Sequence, residues 1–264
     1  MLEKVLVANR SEIALRIVRA CRELGVTSVA VYSDADEEAL HVRHADKAVN
    51  IGPPPAGKSY LDVEAIIEAA KETDADAVHP GYGFLAENAR FAAACRDAGL
   101  IFVGPSAEAI EKMGNKSAAR RLAEEADVPV VPGSEESASA DEALETAEEI
   151  GYPVMVKAAA GGGGRGIRVA ENEEELRQSV QVAKREAESA FGDGSIYLEK
   201  FLAGPRHVEV QVMADHDGNV IHLFERECSI QRRHQKIVEE SPSPAVDDAL
   251  RKEICAAAVA RSGA

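Results

Sequence analysis

The chain has no tryptophan, and five tyrosines and six phenylalanines bring its aromatic content to only 4% of 264 residues. A platform of stacked rings for single-stranded nucleic acid is therefore not on offer. Positive charge is also scarce. Thirty Lys and Arg stand against 46 Asp and Glu, for a formal net charge of −16. A surface of that sign repels phosphate backbones and anionic membranes, which argues against both as main partners. The four cysteines, Cys21, Cys95, Cys228 and Cys255, lie far apart and form no C-x-x-C. Neither a zinc site nor a disulfide framework is expected, and reduced thiols are. No apolar run is long enough to span a bilayer, and the first residues lack the basic and apolar regions of a signal peptide. A cytoplasmic location is the expectation.

What the chain does have is periodicity. Residues 4–8, 27–32, 47–51, 75–79 and 100–103 read as strands, and 12–25, 61–71 and 87–98 as helices. This alternation implies a parallel sheet with helices on both faces. Beyond Ser106 the pattern changes. Ser106 suits the cap of a helix to Met113, with Glu108 and Glu111 near its positive end. A helix over 116–126, an extended crossing over 128–133 and an acidic helix over 134–149 follow. Strands at 152–157, 166–170 and 196–200, with a helix over 172–191, form a small α+β unit. Residues 207–213 and 220–225 read as an antiparallel pair joined by the turn 215–219. A helix over 247–261 closes the chain, and its apolar face (Leu250, Ile254, Val259) calls for a cover. Two strands alone are marginal, so the sequence reads as stopping inside a domain.

The densest chemical signal is Lys157-Ala-Ala-Ala-Gly161-Gly-Gly-Gly164-Arg165-Gly166, at the tip of the 152–157/166–170 hairpin. Such a run weakens any regular element but allows backbone N–H groups to close around an anion. It is not a P-loop, because no Lys-Ser/Thr follows the glycines, and it does not open a helix as a dinucleotide fingerprint would. Lys116 and Lys157 could supply charge to a phosphate chain. The alternative is a flexible tip without a ligand. Glu199-Lys200-Phe201-Leu202 ends a strand, where an adenine ring finds an apolar wall and backbone groups. Taken singly, Glu199 and Lys200 would be surface charges. His207 and His234 flank the later hairpin and suit ribose hydroxyls better than a metal, since no second ligand has the right spacing. Gln231-Arg232-Arg233-His234-Gln235-Lys236 concentrates cations in an acidic chain. It is either an anion site for phosphate or bicarbonate, or a solvated basic face paired to Glu239 and Glu240. His79-Pro-Gly-Tyr-Gly-Phe84 lies at a strand's carboxyl end, as a ligand edge or as a tight turn.

Taken in order, these motifs resemble the biotin carboxylases of the ATP-grasp superfamily. The resemblance rests on Ala8-Asn-Arg-Ser-Glu12, His79 to Asn88, Met113-Gly-Asn-Lys116, Lys157 with Gly161–Gly166, Glu199-Lys200, Arg206-His-Val-Glu-Val-Gln211 and Glu227 to Lys236. Carbamoyl-phosphate synthetases share the glycine loop but not the Gln-Arg-Arg-His-Gln-Lys run. The resemblance implies an α/β chain: a Rossmann-like parallel-sheet domain over 1–113, then an ATP-grasp α+β domain over 114–264, incomplete, with a lid at about 131–203. It implies ATP, Mg²⁺ and bicarbonate, with biotin supplied by a carboxyl carrier protein or domain, because no Met-Lys-Met attachment site is present. A carboxyltransferase subunit and a homodimer are further implied partners. In site terms it assigns Lys116 and Lys157 to phosphates or adenine, and Gly163 and Gly164 to the phosphates. Glu199, Lys200, Phe201 and Leu202 fall to adenine, and His207, Gln231 and His234 to the nucleotide near the ribose. Lys236, with Arg233 and Glu209, falls to the bicarbonate chemistry. The family's metal ligands, bicarbonate-aligning Arg and catalytic Glu are expected beyond position 264, so this chain alone is expected to be inactive. A non-catalytic ATP-binding fragment and another ATP-grasp ligase are the alternatives. Ser11 and Ala86 stand where the family pattern has Gly and Ser.

Overall fold

The computed structural model describes residues 2–114, 116–134, 139–158, 167–191, 194–215, 217–232 and 235–263. The chain divides into two compact units, Met1–Asn115 and Lys116–Ala264.

The first unit runs β1 (Lys4–Val7), α1 (Ser11–Leu24), β2 (Thr27–Tyr32), α2 (Leu40–His44), β3 (Lys47–Asn50), α3 (Val63–Glu72), β4 (Ala77–His79), α4 (Ala89–Asp97), β5 (Ile101–Phe102) and α5 (Ala107–Gly114). Its five strands are all parallel, in the order β3-β2-β1-β4-β5. The central strands β1 and β2 are buried on both faces, which is why they read as apolar runs, whereas the edge strands β3 and β5 are largely exposed. On β1, Val5 and Val7 pack with Ala14, Ile17, Val18 and Cys21 of α1. Leu6, from the other face, packs with Ile66, Ala69 and Ala70 of α3 and Phe91 and Cys95 of α4. The helices begin and end where capping chemistry places them. Asp62 and Asn88 accept from the backbone N–H three residues on, and Gly25 closes α1 at φ 70°. Ser106 Oγ accepts from Ala109 N at 3.1 Å, as its cap pattern requires. The five-residue α2 was not legible in the periodicity.

The second unit runs α6 (Lys116–Glu125), α7 (Ala140–Ile150), β6 (Val154–Ala158), β7 (Arg168–Ala170), α8 (Glu173–Phe191), β8 (Ile196–Lys200), β9 (Val208–Ala214), β10 (Val220–Arg232), β11 (Gln235–Glu240) and α9 (Asp248–Gly263). Strands β7-β6-β8 form one antiparallel sheet, and α7 and α8 cover a single face of it. Val154 and Val156 of β6 and Ile196 and Leu198 of β8 point into that helical layer and are fully buried. By period-two alternation, Lys157, Tyr197 and Glu199 fall on the opposite, open face. Ser139 and Glu142 form a reciprocal capping box at the start of α7, which therefore begins at residue 140 and not at 134 as the acidic pattern suggests.

Residues 132–134 lie along β8. Gly133 bridges Glu199, Ser134 N donates to Leu198 O at 2.9 Å, and Lys200 N donates to Pro132 O at 2.7 Å. A Cβ on Gly133 would sit 2.4 Å from the Leu198 carbonyl oxygen and 3.2 Å from Glu199 Cα. Both are backbone atoms that cannot swing aside. Gly133→Ala is expected to cost about 2–3 kcal/mol by overpacking, read as a lower urea midpoint. An unchanged midpoint would mean this crossing is not packed on β8.

The later strands correct the two-strand reading. β10 continues to Arg232 and pairs with β11, making a three-stranded sheet β11-β10-β9. The basic run therefore falls on two paired strands, with Gln231 opposite Lys236 and Arg232 opposite Gln235. α9 packs on β10 and β9, with Cys255 buried, Ile254 and Val259 half-buried and Leu250 exposed. No helix among the described residues is long and apolar enough to cross a membrane.

Candidate functional site

On the open face of β6 and β8, Lys157 pairs with Glu199, two residues along the neighbouring strand from its register partner Tyr197. This diagonal is within reach of a long side chain. The Lys157 ammonium also lies 5.8 Å from the centre of the Tyr197 ring. Burial, then the Glu199 charge, pushes the Tyr197 phenol up to about 12, so it stays protonated. Lys157 and Glu199 side chains are each about a quarter exposed, at 21% and 24%, so the ammonium is accessible while being held. Lys200 goes the other way. Its ammonium donates to the Gly151 and Tyr152 carbonyls at 2.9 Å each, closing the negative end of α7. Phe201 N is taken by Pro153 O at 3.1 Å, and Leu202 is exposed.

A second cluster lies on the β9-β10-β11 sheet. Arg226 stands opposite Glu209 in the β9–β10 register. Glu209 accepts from Arg226 Nε at 2.8 Å and from Lys236, and Arg226 Nε lies 3.8 Å from Glu239. Burial opposes ionisation of Glu209, but the hydrogen bonds from Lys236 and Arg226 outweigh it and hold the carboxyl below the usual range. The same contact pushes the Lys236 ammonium up, so it remains a cation rather than a base. A carboxyl depressed in this way contributes stability that is fully present above its unfolded value of about 4.3. That contribution is lost as pH falls through the folded value. Lys236→Met is expected to move the Glu209 titration back up, as followed by side-chain carboxyl NMR. An unmoved Glu209 would mean the pair does not form in solution.

Beside this cluster, Gln231 Nε2 lies 2.7 Å from His207 Nδ1 and donates to Cys228 O at 2.9 Å. Glu209, Cys228 and Glu239 place one donor atom each within 4.8 Å of one another. This trio does not suit Mg²⁺, which asks for hard oxygen ligands in octahedral array. Glu209 is already engaged by two cations, and burial keeps the Cys228 thiol protonated.

In the first unit, two of the quoted motifs are each other's partners. Asn9 Nδ2 donates to the carbonyls of Pro80 and Tyr82 at 2.7 and 2.9 Å, and Tyr82 OH donates to Glu12. Gly81 adopts φ 67°, and a Cβ there would lie 2.8 Å from Asn9 Nδ2. These two loops follow β1 and β4, adjacent strands at the carboxyl edge of the sheet. Arg10 lies over the stacked Tyr60 and Phe84 rings, 5.4 and 5.8 Å from their centres. Ser11 takes φ 59°, a left-handed conformation that favours glycine, which explains why the family pattern has one there.

Residues 1–110 match the family model described as biotin carboxylase, N-terminal domain. Residues 115–262 match that of the carbamoyl-phosphate synthase L chain, ATP binding domain. The biotin carboxylase of Halalkalibacterium halodurans is 56% identical over 255 residues, covering 96% of this chain and 56% of the relative. The chain belongs to the biotin carboxylase family. Biotin carboxylase 1 of Bacillus subtilis is 57% identical over 98% of the chain and 58% of its own length. A Campylobacter jejuni biotin carboxylase solved as a βγ-ATP complex has a TM-score of 0.92 at 48% identity, covering 100% of this chain and 59% of that one. The biotin carboxylase domain of Hydrogenobacter thermophilus 2-oxoglutarate carboxylase, solved in complex with MgADP, ADP and bicarbonate, has a TM-score of 0.89 at 49% identity, covering 100% of this chain and 58% of that one. The chain thus spans somewhat over half the length of these relatives.

Within this member of the family the structure brings Lys157 to Glu199, Lys236 to Glu209, and Gln231 to His207. It separates Lys200 from Glu199 onto the two faces of one sheet. Gly163, Gly164, Arg233 and His234 lie outside the described residues, as does the side chain of Lys116, which opens α6. Sequence reasoning missed Arg226, Tyr197, Glu225 and Glu227. For Arg226, its place opposite Glu209 in a hairpin was the available signal.

Proposed function

We propose that the chain carries the nucleotide-holding part of a biotin carboxylase. ATP phosphorylates bicarbonate: a bicarbonate oxygen bonds to the γ-phosphorus as the bond to the β-phosphate oxygen breaks, giving carboxyphosphate and ADP. The carboxyl group then passes to the ureido nitrogen of biotin on a carrier protein or domain: the N–C bond forms as the carboxyl C–O bond to phosphate breaks, and the ureido proton leaves with the inorganic phosphate. The observation that carries this reading is the pairing of two accessible lysines with acids on the open faces of the two antiparallel sheets. Phosphoryl transfer asks mainly for positioned positive charge. Lys157, with Lys116 and the N–H groups at Gly163 and Gly164, serves the phosphates or adenine. Glu199, Phe201, Leu202 and the backbone of Lys200 line the adenine, the Lys200 side chain being turned to the other face, while His207, Gln231 and His234 serve the ribose side. Lys236, kept cationic by Glu209 and helped by Arg233, draws bicarbonate as a charge partner. Mg²⁺ is implied with the nucleotide, as in the Hydrogenobacter domain. The cluster of Glu209, Cys228 and Glu239 does not fit that ion.

The relatives also support a carrier domain, a carboxyltransferase subunit and a dimer as partners. One observation favours a second reading, another ATP-grasp ligase: the ATP-binding half matches a model that bears the carbamoyl-phosphate synthase name. The match of residues 1–110 to the biotin carboxylase N-terminal model favours the first. The test is calorimetric titration of the purified 264-residue chain with Mg·ATP. Saturable one-to-one binding supports the proposal, and a folded chain giving no heat above dilution at millimolar ATP overturns it.

A further inference from the structure

The acid Glu227 in the middle of β10 is 4% exposed, yet none of the proposed chemistry uses it. Its neighbours explain what it holds. Ser229 Oγ accepts from His207 N at 2.7 Å and donates to Glu227 Oε1. Ser243 Oγ accepts from Ala245 N at 3.2 Å and donates to Glu227 Oε2 at 2.6 Å. Each hydroxyl takes a backbone N–H and must place its own proton elsewhere. An ionised carboxylate is the side chain that accepts both. Arg206 stands 3.7 Å away as the nearest cation. Cys228 N donates to His207 O at 2.7 Å, so the backbone of His207 is held at both its N–H and its carbonyl.

The imidazole of His207 is set by the same local structure. Gln231 Nε2 donates to Cys228 O, which fixes its amide orientation, and its second proton points to His207 Nδ1 at 2.7 Å. Nδ1 then accepts, and the ring proton sits on Nε2 as the donor left for a ligand. His207 itself is exposed.

We propose that Glu227 is a positioning residue that sets His207, through Ser229, to donate to a ribose hydroxyl of the bound nucleotide. This rests on the nucleotide-holding reading above. The test compares ATP with 2′,3′-dideoxy-ATP, which lacks both ribose hydroxyls, by calorimetry on the 264-residue chain and its Glu227→Gln variant. Glutamine presents one acceptor and one donor, so one of the two serine hydroxyls loses its partner. The parent is expected to prefer ATP by about tenfold, the worth of one hydrogen bond. In Glu227→Gln that ratio is expected to fall toward one, through weaker ATP binding with dideoxy-ATP nearly unchanged. Equal weakening of both nucleotides would show a merely structural role, and an unchanged ratio would show no role; either overturns the proposal. Should Glu227→Gln fail to fold, Ser229→Ala removes the hydroxyl that receives the His207 N–H and reports on the same ratio. A parent without any preference would remove the ribose contact and the proposal with it. ATP binding that still depends on Lys157 would leave the nucleotide reading standing in that case.

Discussion

Lys157→Ala is expected to weaken Mg·ATP binding by roughly 100-fold, about 3 kcal/mol, the loss of a strong charge-assisted contact. Two effects act in the same direction. The variant loses the ammonium that faces the open side of β6, and it leaves Glu199 as an uncompensated anion beside an incoming polyphosphate. Stability should change little, because the pair is a quarter exposed and such pairs are typically worth about 1 kcal/mol or less. Calorimetric titration and a urea melt on the same sample therefore separate binding from folding. A variant that titrates like the parent would mean that Lys157 is held by Glu199 for structure alone.

Arg251→Met is expected to be the most destabilising of these substitutions, by about 3–5 kcal/mol, the usual cost of leaving a buried charge without its partner. Glu225 is fully buried on β10 and accepts from Arg251 Nε at 2.9 and 3.0 Å and from Ser243 N at 3.2 Å. Arg251 Nη2 also donates to Val246 O at 3.0 Å, so the guanidinium ties the start of α9 to the sheet. The sign of the pH dependence follows. In the parent, burial would raise the Glu225 carboxyl, but its own backbone hydrogen bond and those from Arg251 and Ser243 outweigh this and hold it low. The stabilisation is thus complete above the unfolded value of about 4.3 and is lost as pH falls through the folded value. In Arg251→Met burial wins instead, and the carboxyl protonates early. The gap between parent and variant should be widest at neutral pH and narrow below about pH 4.3. Urea unfolding from pH 7 to pH 4 measures it; a constant gap would show that the pair is not the source.

Much of this was legible in the residues. The parallel sheet could be read because strands such as β1 are buried on both faces and leave unbroken apolar runs. The β6–β7 hairpin could be read because Val154 and Val156 alternate with Met155 and Lys157. β11 escaped because all six of its residues are exposed, and a strand with no buried face leaves no alternation. Glu225 and Glu227 escaped for a different reason. In Glu-Arg-Glu they read as surface charges, and their burial depends on Ser243 and Arg251, which lie 16 to 26 residues further on.

Local order in the chain determined the alternating strands and helices of the first unit and the β6–β7 pairing of the second, and the ordered motifs determined the family. Tertiary structure decided which cation each acid holds. Lys157 finds Glu199 across 42 residues, and Lys236 finds Glu209 across 27. It also decided that Glu199 and Lys200, adjacent in the chain, serve opposite faces. The reason is geometric. Periodicity reports which face of an element is apolar, whereas pairing of charges depends on strand register and on helices that arrive later, and neither leaves a trace in local pattern.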